Sequence, residues 1–311
     1  MRDQHLDAPT DVRPTDGTET SGVAFIDGAY VPAAEARISV FDTGFTMGAS
    51  VFDTLACWNG WLFKLDAHLD RLYRSAHAIR IDIPYSKASF REIVVETTRR
   101  AGLRDAYVQC IVTRGIRGAG PPTTWPPTTI VYAVPYIWAV GGPDAIERGV
   151  RVITARTRNL PPEVLDPKIK NFNRLNGYLA KLEAMDAGAD DAVLLDLRGC
   201  LAEGRGANIF LVRQARLYTP DADVLWGITR ETVFEIAAEE GLPADFARLT
   251  PYDLYNADEA FFCTTAGGIV PIVAADGRRV GDGAPGPITR RIAERHWQVH
   301  QDPRYAMQVI P

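Results

Sequence analysis

Lys170 is the residue whose type and place could do the most chemistry. It lies in Asp166-Pro167-Lys168-Ile169-Lys170-Asn171-Phe172-Asn173-Arg174, where a loop runs into a segment expected to be helical. Further along come Glu203, followed by Gly204 and Gly206, then Gly227-Ile228-Thr229-Arg230 at the start of another expected helix. Cys263-Thr264-Thr265-Ala266-Gly267-Gly268 completes the set. An unprotonated lysine attacks aldehydes and shuttles protons. The partial positive charge of a helix N-terminus disfavours its ammonium form, and burial lowers its pKa further. A carboxylate such as Glu203 can hold a proton on a heteroaromatic nitrogen. Helix starts and glycine-rich turns offer backbone N–H groups to a phosphate.

Amine, carboxylate and two small-residue turns are the parts that a phosphorylated aldehyde cofactor, pyridoxal phosphate, requires of a protein. Arg71, on an earlier helix, would add a planar cation for the phosphate. Taken singly, each residue has a plainer reading. Lys170 is then a surface lysine, with Lys168 and Lys181 as rivals, and Glu203 is a turn carboxylate. Thr229 is part of an ordinary helix cap, Arg71 a helix-surface arginine and His68 a packing or capping residue. Arg117 is the one cation in the long Gly/Pro-rich loop from Gly115 to Pro127, and Arg114 ends the strand before it. An arginine fork matches a substrate carboxylate, so these two are candidates for holding one.

The bulk properties exclude other classes. The chain has 311 residues, 46% of them hydrophobic, and a net charge of -5. That length suits two modest domains, and the charge gives no footprint for nucleic acid. No apolar run approaches the ~20 residues of a membrane span. The polar, acidic N-terminus does not read as a secretory signal, which leaves a cytoplasmic location. Four cysteines stand without paired spacing, so neither a disulfide framework nor a metal site is expected.

The elements that must position these residues follow from periodicity. Residues 1–20 read as a flexible extension. Asp27-Gly28 and Asn59-Gly60 each signal a hairpin. Residues 65–79 and 89–101 have helical spacing, and 107–114 and 129–136 read as strands. Residues 21–137 therefore form a smaller N-terminal domain, 138–147 a linker, and 148–311 a larger domain. Within the larger domain, helices are expected over 171–187, 229–240 and 287–299. Phe172, Leu175, Leu179, Leu182 and Met185 should form the inward face of the first. Hairpins mixed with helices, without strict alternation, indicate an α+β fold.

Taken in order, the motifs resemble those of the fold-type IV pyridoxal-phosphate enzymes over about residues 22–300. That group holds branched-chain, D-amino-acid and (R)-amine transaminases and aminodeoxychorismate lyases. Asp66-Ala67-His68-Leu69-Asp70-Arg71-Leu72 is similar to the family's phosphate-binding segment, which marks Arg71. The resemblance makes Lys170 the cofactor-bonding lysine and Glu203 the partner of the pyridine nitrogen. It places Ile228, Thr229 and Thr265 at the phosphate turns and Phe52 at the pocket wall. Residues 36–42, 134–138, 263–268 and 283–289 are most similar to (R)-amine transaminases, while the stretch after Lys170 looks more like D-amino-acid transaminases and the lyases. The implied protein is a two-domain transaminase with the cofactor between its domains. It takes an amino donor and a keto acid and works as a homodimer, with a pyruvate-releasing lyase as the alternative.

Overall fold

The computed structural model describes residues 21–311, so the extension expected over residues 1–20 lies outside the described residues. Both signalled hairpins form. Val23–Ile26 turns through Asp27 and Gly28 into Ala29–Pro32, and Ser50–Trp58 turns through Asn59 and Gly60 into Trp61–Phe63. All four turn residues have positive φ, between 46° and 102°. Two positive φ values in succession match a two-residue turn to the twist of its strands.

The first sheet has seven strands, every neighbouring pair antiparallel. Their order is Ala306–Gln308, Trp61–Phe63, Ser50–Trp58, Ala106–Thr113, Thr129–Pro135, Val23–Ile26 and Ala29–Pro32. Its outermost strand comes from the far end of the chain. Ala306–Gln308, from within the stretch 148–311 expected as the larger domain, pairs with and covers the otherwise open edge of Trp61–Phe63. Helices Leu65–Ala78 and Lys87–Ala101 cover one face, burying Leu69, Leu72, Phe90 and Val94 against Val51, Leu55 and Val108.

The second sheet has nine strands and mixes parallel with antiparallel pairs. Helices Ile228–Glu239 and Pro287–Val299 share a core with Phe210, Phe261 and Ile269. Helix Leu175–Asp186 lies over Val150–Arg158 and Asp191–Leu195. Two expectations fail at this helix. It begins at Leu175 rather than residue 171, and it turns its small residues inward. Gly177, Ala180 and Ala184 are buried, while Leu175 is 67% and Met185 60% exposed. Ala180 and Ala184 pack with Ala155, Ala192 and Leu194, so small side chains let the helix sit close to the sheet. Its large side chains are left as an apolar stripe on the outside.

Candidate active site

Strand Ser50–Trp58 is buried along almost its whole length, and its two faces do different work. Val51, Leu55 and Cys57 join the core under the helices. Asp53 has the same parity, so its carboxylate enters that core with 0% exposure. Helix Leu65–Ala78 supplies its partners one turn apart. Arg71 donates from Nε to Oδ2 and from Nη2 to Oδ1, both at 2.8 Å, and His68 Nδ1 lies 2.7 Å from Oδ1. Burial alone would raise the Asp53 pKa, but Arg71 and His68 outweigh it and hold the carboxyl well below its usual range. Arg71 also donates from Nη1 to the Trp226 carbonyl at 3.0 Å. That carbonyl sits just before helix Ile228–Glu239, so the guanidinium is fixed beside a helix N-terminus.

Lys170 is held by its main chain. Its N–H donates to Ser75 Oγ at 3.2 Å, and its carbonyl accepts from Phe52 N–H at 3.0 Å. Asn171 then bridges to Val51. The lysine is therefore docked against a strand, five residues ahead of its helix. Helix charge does not lower its pKa, which is the correction to the expectation from sequence. Desolvation does so instead, reinforced by the cations of Arg71 and Arg174, and brings it to about 7. Its Nζ stands over the Phe52 ring, 4.7 Å from the centroid. Phe172 stacks on that ring at 4.3 Å.

Glu203 is oriented by three donors. Leu225 N–H and Asn208 Nδ2 reach Oε2 at 3.0 and 3.3 Å, and Asn159 Nδ2 reaches Oε1 at 3.4 Å. Among the described residues it has no ion pair, and desolvation raises its pKa. Gly227 caps helix Ile228–Glu239 without a side-chain cap, which leaves the first-turn N–H groups of Ile228 and Thr229 open to an anion. A Cβ on Gly227 would fall 2.0 Å from Asn208 Oδ1, so any larger residue would displace the Asn208 side chain that reaches Glu203. The second turn is pinned by Tyr136, whose hydroxyl donates to the Thr265 carbonyl at 2.7 Å and accepts from Gly267 N–H at 2.9 Å.

One cavity of about 430 Å³ collects these groups. Phe52, Arg71, Lys170, Glu203, Ile228, Thr229 and Thr265 all line it. Arg114 and Arg117 do not, and neither reaches the cavity of its own chain. Arg114 turns away, buried, to donate to the Ile79 carbonyl at 2.7 Å. Arg117 stays in its exposed loop near Met47 Sδ and the Trp125 ring. Lys168 pairs with Asp166 at 3.0 Å, and Lys181, which also lines the cavity, bonds the Asp190 carbonyl. No cluster able to hold a metal occurs among the described residues.

The chain also matches known proteins. The profile of the family described as Amino-transferase class IV matches residues 50–275, a span that contains all seven of the cavity residues just named. A putative branched-chain-amino-acid aminotransferase of Methanocaldococcus jannaschii is 42% identical, over 87% of this chain and 94% of its own. The chain belongs to the class IV aminotransferases. A D-alanine aminotransferase of Bacillus licheniformis is 32% identical over 86% of this chain and 93% of its own. The T.th. branched-chain amino acid aminotransferase, solved with pyridoxamine 5'-phosphate, superposes with a TM-score of 0.87 at 33% identity, covering 93% of this chain and 99% of its own.

Several residues of this candidate site carry little or no signal in the sequence. Asp53 carries one: it interrupts the apolar alternation Val51, Leu55, Cys57, and a carboxylate at a core position needs a partner. His68, expected to pack or cap, shares Asp53 with Arg71. Tyr136 ties down the Thr265 turn. Asn159, Asn208 and Arg174 give no signal beyond their polarity, because only the fold brings them to Glu203 and Lys170.

Proposed function

We propose that this enzyme transfers the amino group of an aliphatic amino acid to a 2-keto acid, with Lys170 as its catalytic residue. One observation carries the reading. Lys170, with a pKa of about 7, projects over Phe52 into the cavity that also holds Arg71, Glu203 and the start of helix Ile228–Glu239. The site fits pyridoxal phosphate. Glu203 is a desolvated carboxylate in want of a cation, which a protonated pyridine nitrogen would be. Arg71 and the N–H groups of Ile228 and Thr229 would take the phosphate, with the Thr265 turn as the second support. When bound, the cofactor supplies an aldehyde for the amino group and an electron sink for the carbanion.

The chain's own residues do the rest. Near neutral pH a good fraction of Lys170 is unprotonated, so Nζ can take a proton from the substrate carbon that bears the amino group and later return one. Asp53 keeps Arg71 aimed at the phosphate. Phe52 and Tyr107 line the same cavity.

The named relatives are transaminases, which sets aside the lyase alternative. Their donors, branched-chain amino acids and D-alanine, are the first to try here, with primary (R)-amines beside them. We read the working form as a homodimer, since Leu175, Tyr178, Leu179, Leu182 and Met185 leave an apolar stripe outside. Four free cysteines suit the cytoplasm. Residues of both sheets line the cavity, which supports two domains joined by 138–147, with Ala306–Gln308 returning to complete the first. The test is a screen of paired D- and L-amino acids and R- and S-amines with pyruvate and 2-oxoglutarate as acceptors. Amino transfer from an aliphatic amino acid is expected; pyruvate release without an acceptor would overturn the proposal.

A further inference from the structure

Three arginines line the cavity, and two are committed. Arg71 is engaged by Asp53 and the Trp226 carbonyl. Arg205 donates from Nε to Asp191 Oδ2 at 3.2 Å and from Nη2 to the Ala139 carbonyl. Arg174 has no carboxylate within ion-pair reach among the described residues; its Nη2 bonds the Arg205 carbonyl. Its Cζ lies 5.8 Å from the centroid of the Phe52 ring, the ring that Lys170 Nζ overlies at 4.7 Å. Amine and guanidinium therefore share one aromatic floor. A Cβ on Gly206 would come 3.2 Å from Arg174 Nη2, so the glycine leaves the guanidinium its room. Desolvation of its guanidinium lowers the Arg174 pKa against the opposing pull of Glu203, while the residue as a whole keeps solvent access.

A substrate carbon reacting at Lys170 Nζ carries its carboxylate one bond away. Of the three cavity arginines, the one without a carboxylate partner among the described residues is Arg174, and a planar guanidinium matches a carboxylate in charge and geometry. We propose that Arg174 receives the carboxylate beside the reacting carbon and so makes the site prefer amino and keto acids to carboxylate-free amines. The proposal rests on the transaminase reading above.

The test compares two non-reacting inhibitors of the holoenzyme, 4-methylvalerate and its neutral isostere 4-methylvaleramide. Wild type should bind the acid at least about tenfold more tightly than the amide, as one charge-assisted contact supplies. Arg174→Gln should bring the two within about twofold, and Arg174→Lys should recover part of the preference through charge alone. Retained cofactor absorbance shows that each variant is folded. An acid-to-amide ratio unchanged in Arg174→Gln overturns the proposal. So does wild type that shows no preference, a result that needs no variant. If the ratio depends on Arg174 but no donor and acceptor pair reacts in wild type, the transaminase reading fails while the carboxylate site stands.

Discussion

Asp53 grips Arg71 through two parallel hydrogen bonds of 2.8 Å inside the core of the first sheet. The pair fixes a guanidinium that would otherwise have many rotamers. Removing one partner of such a pair leaves a buried charge without compensation. Asp53→Asn should therefore cost the apoenzyme about 3 kcal/mol in urea unfolding. It should also weaken cofactor binding, because Arg71 loses its aim. Unchanged stability and unchanged cofactor affinity would mean that Arg71 is positioned by something else.

Arg71→Ala should weaken pyridoxal phosphate binding by roughly 2 kcal/mol, the worth of a charge-assisted contact in a partly closed site. Thr229→Ala and Thr265→Ala should each cost less, since their backbone donors remain. Equilibrium dialysis of the three variants gives the order directly. Equal affinity in wild type and Arg71→Ala would remove Arg71 from the phosphate site.

Glu203→Gln should keep the cofactor but slow proton transfer by on the order of 10², the usual loss when one preorganised electrostatic contact goes. Single-turnover absorbance with a reactive donor separates that step from binding. Turnover equal to wild type would show that another group serves the ring nitrogen.

The pH dependence follows from Lys170. Its pKa of about 7 is set by desolvation, then by Arg71 and Arg174. Only the unprotonated amine is competent, so loading of cofactor onto apoenzyme should rise with pH through about 7 and then level off. Taking away the cation of Arg174 favours the ammonium, so in Arg174→Gln the rise should move to higher pH. A profile that stays in place in this variant would show that Arg174 has no electrostatic hold on the lysine.

What the sequence discloses depends on how local the signal is. Glu203 and the Gly227-Ile228-Thr229 start stand out as candidates because glycines flank them at a strand end and a helix start, whereas Lys170 lies in a loop five residues before its helix and stands out by its motif alone. The two hairpins are legible because Asp27-Gly28 and Asn59-Gly60 impose their own geometry. Periodicity misleads at Leu175–Asp186, where two faces compete: the large one looks like core, yet Ala180 and Ala184 make the closer contact. Arg114 and Arg117 are plausible by type, but the side-chain direction set at a strand end does not show in spacing. Asp53 and Tyr136 act across long separations in the chain, so their partners become visible only in the fold.

The central claim is that Lys170 carries the cofactor, and borohydride reduction of the yellow holoenzyme followed by peptide mapping tests it most directly. A single reduced adduct is expected, on Lys170, and it should be lost in Lys170→Ala. An adduct on Lys168 or Lys181, or none in wild type, would contradict the claim.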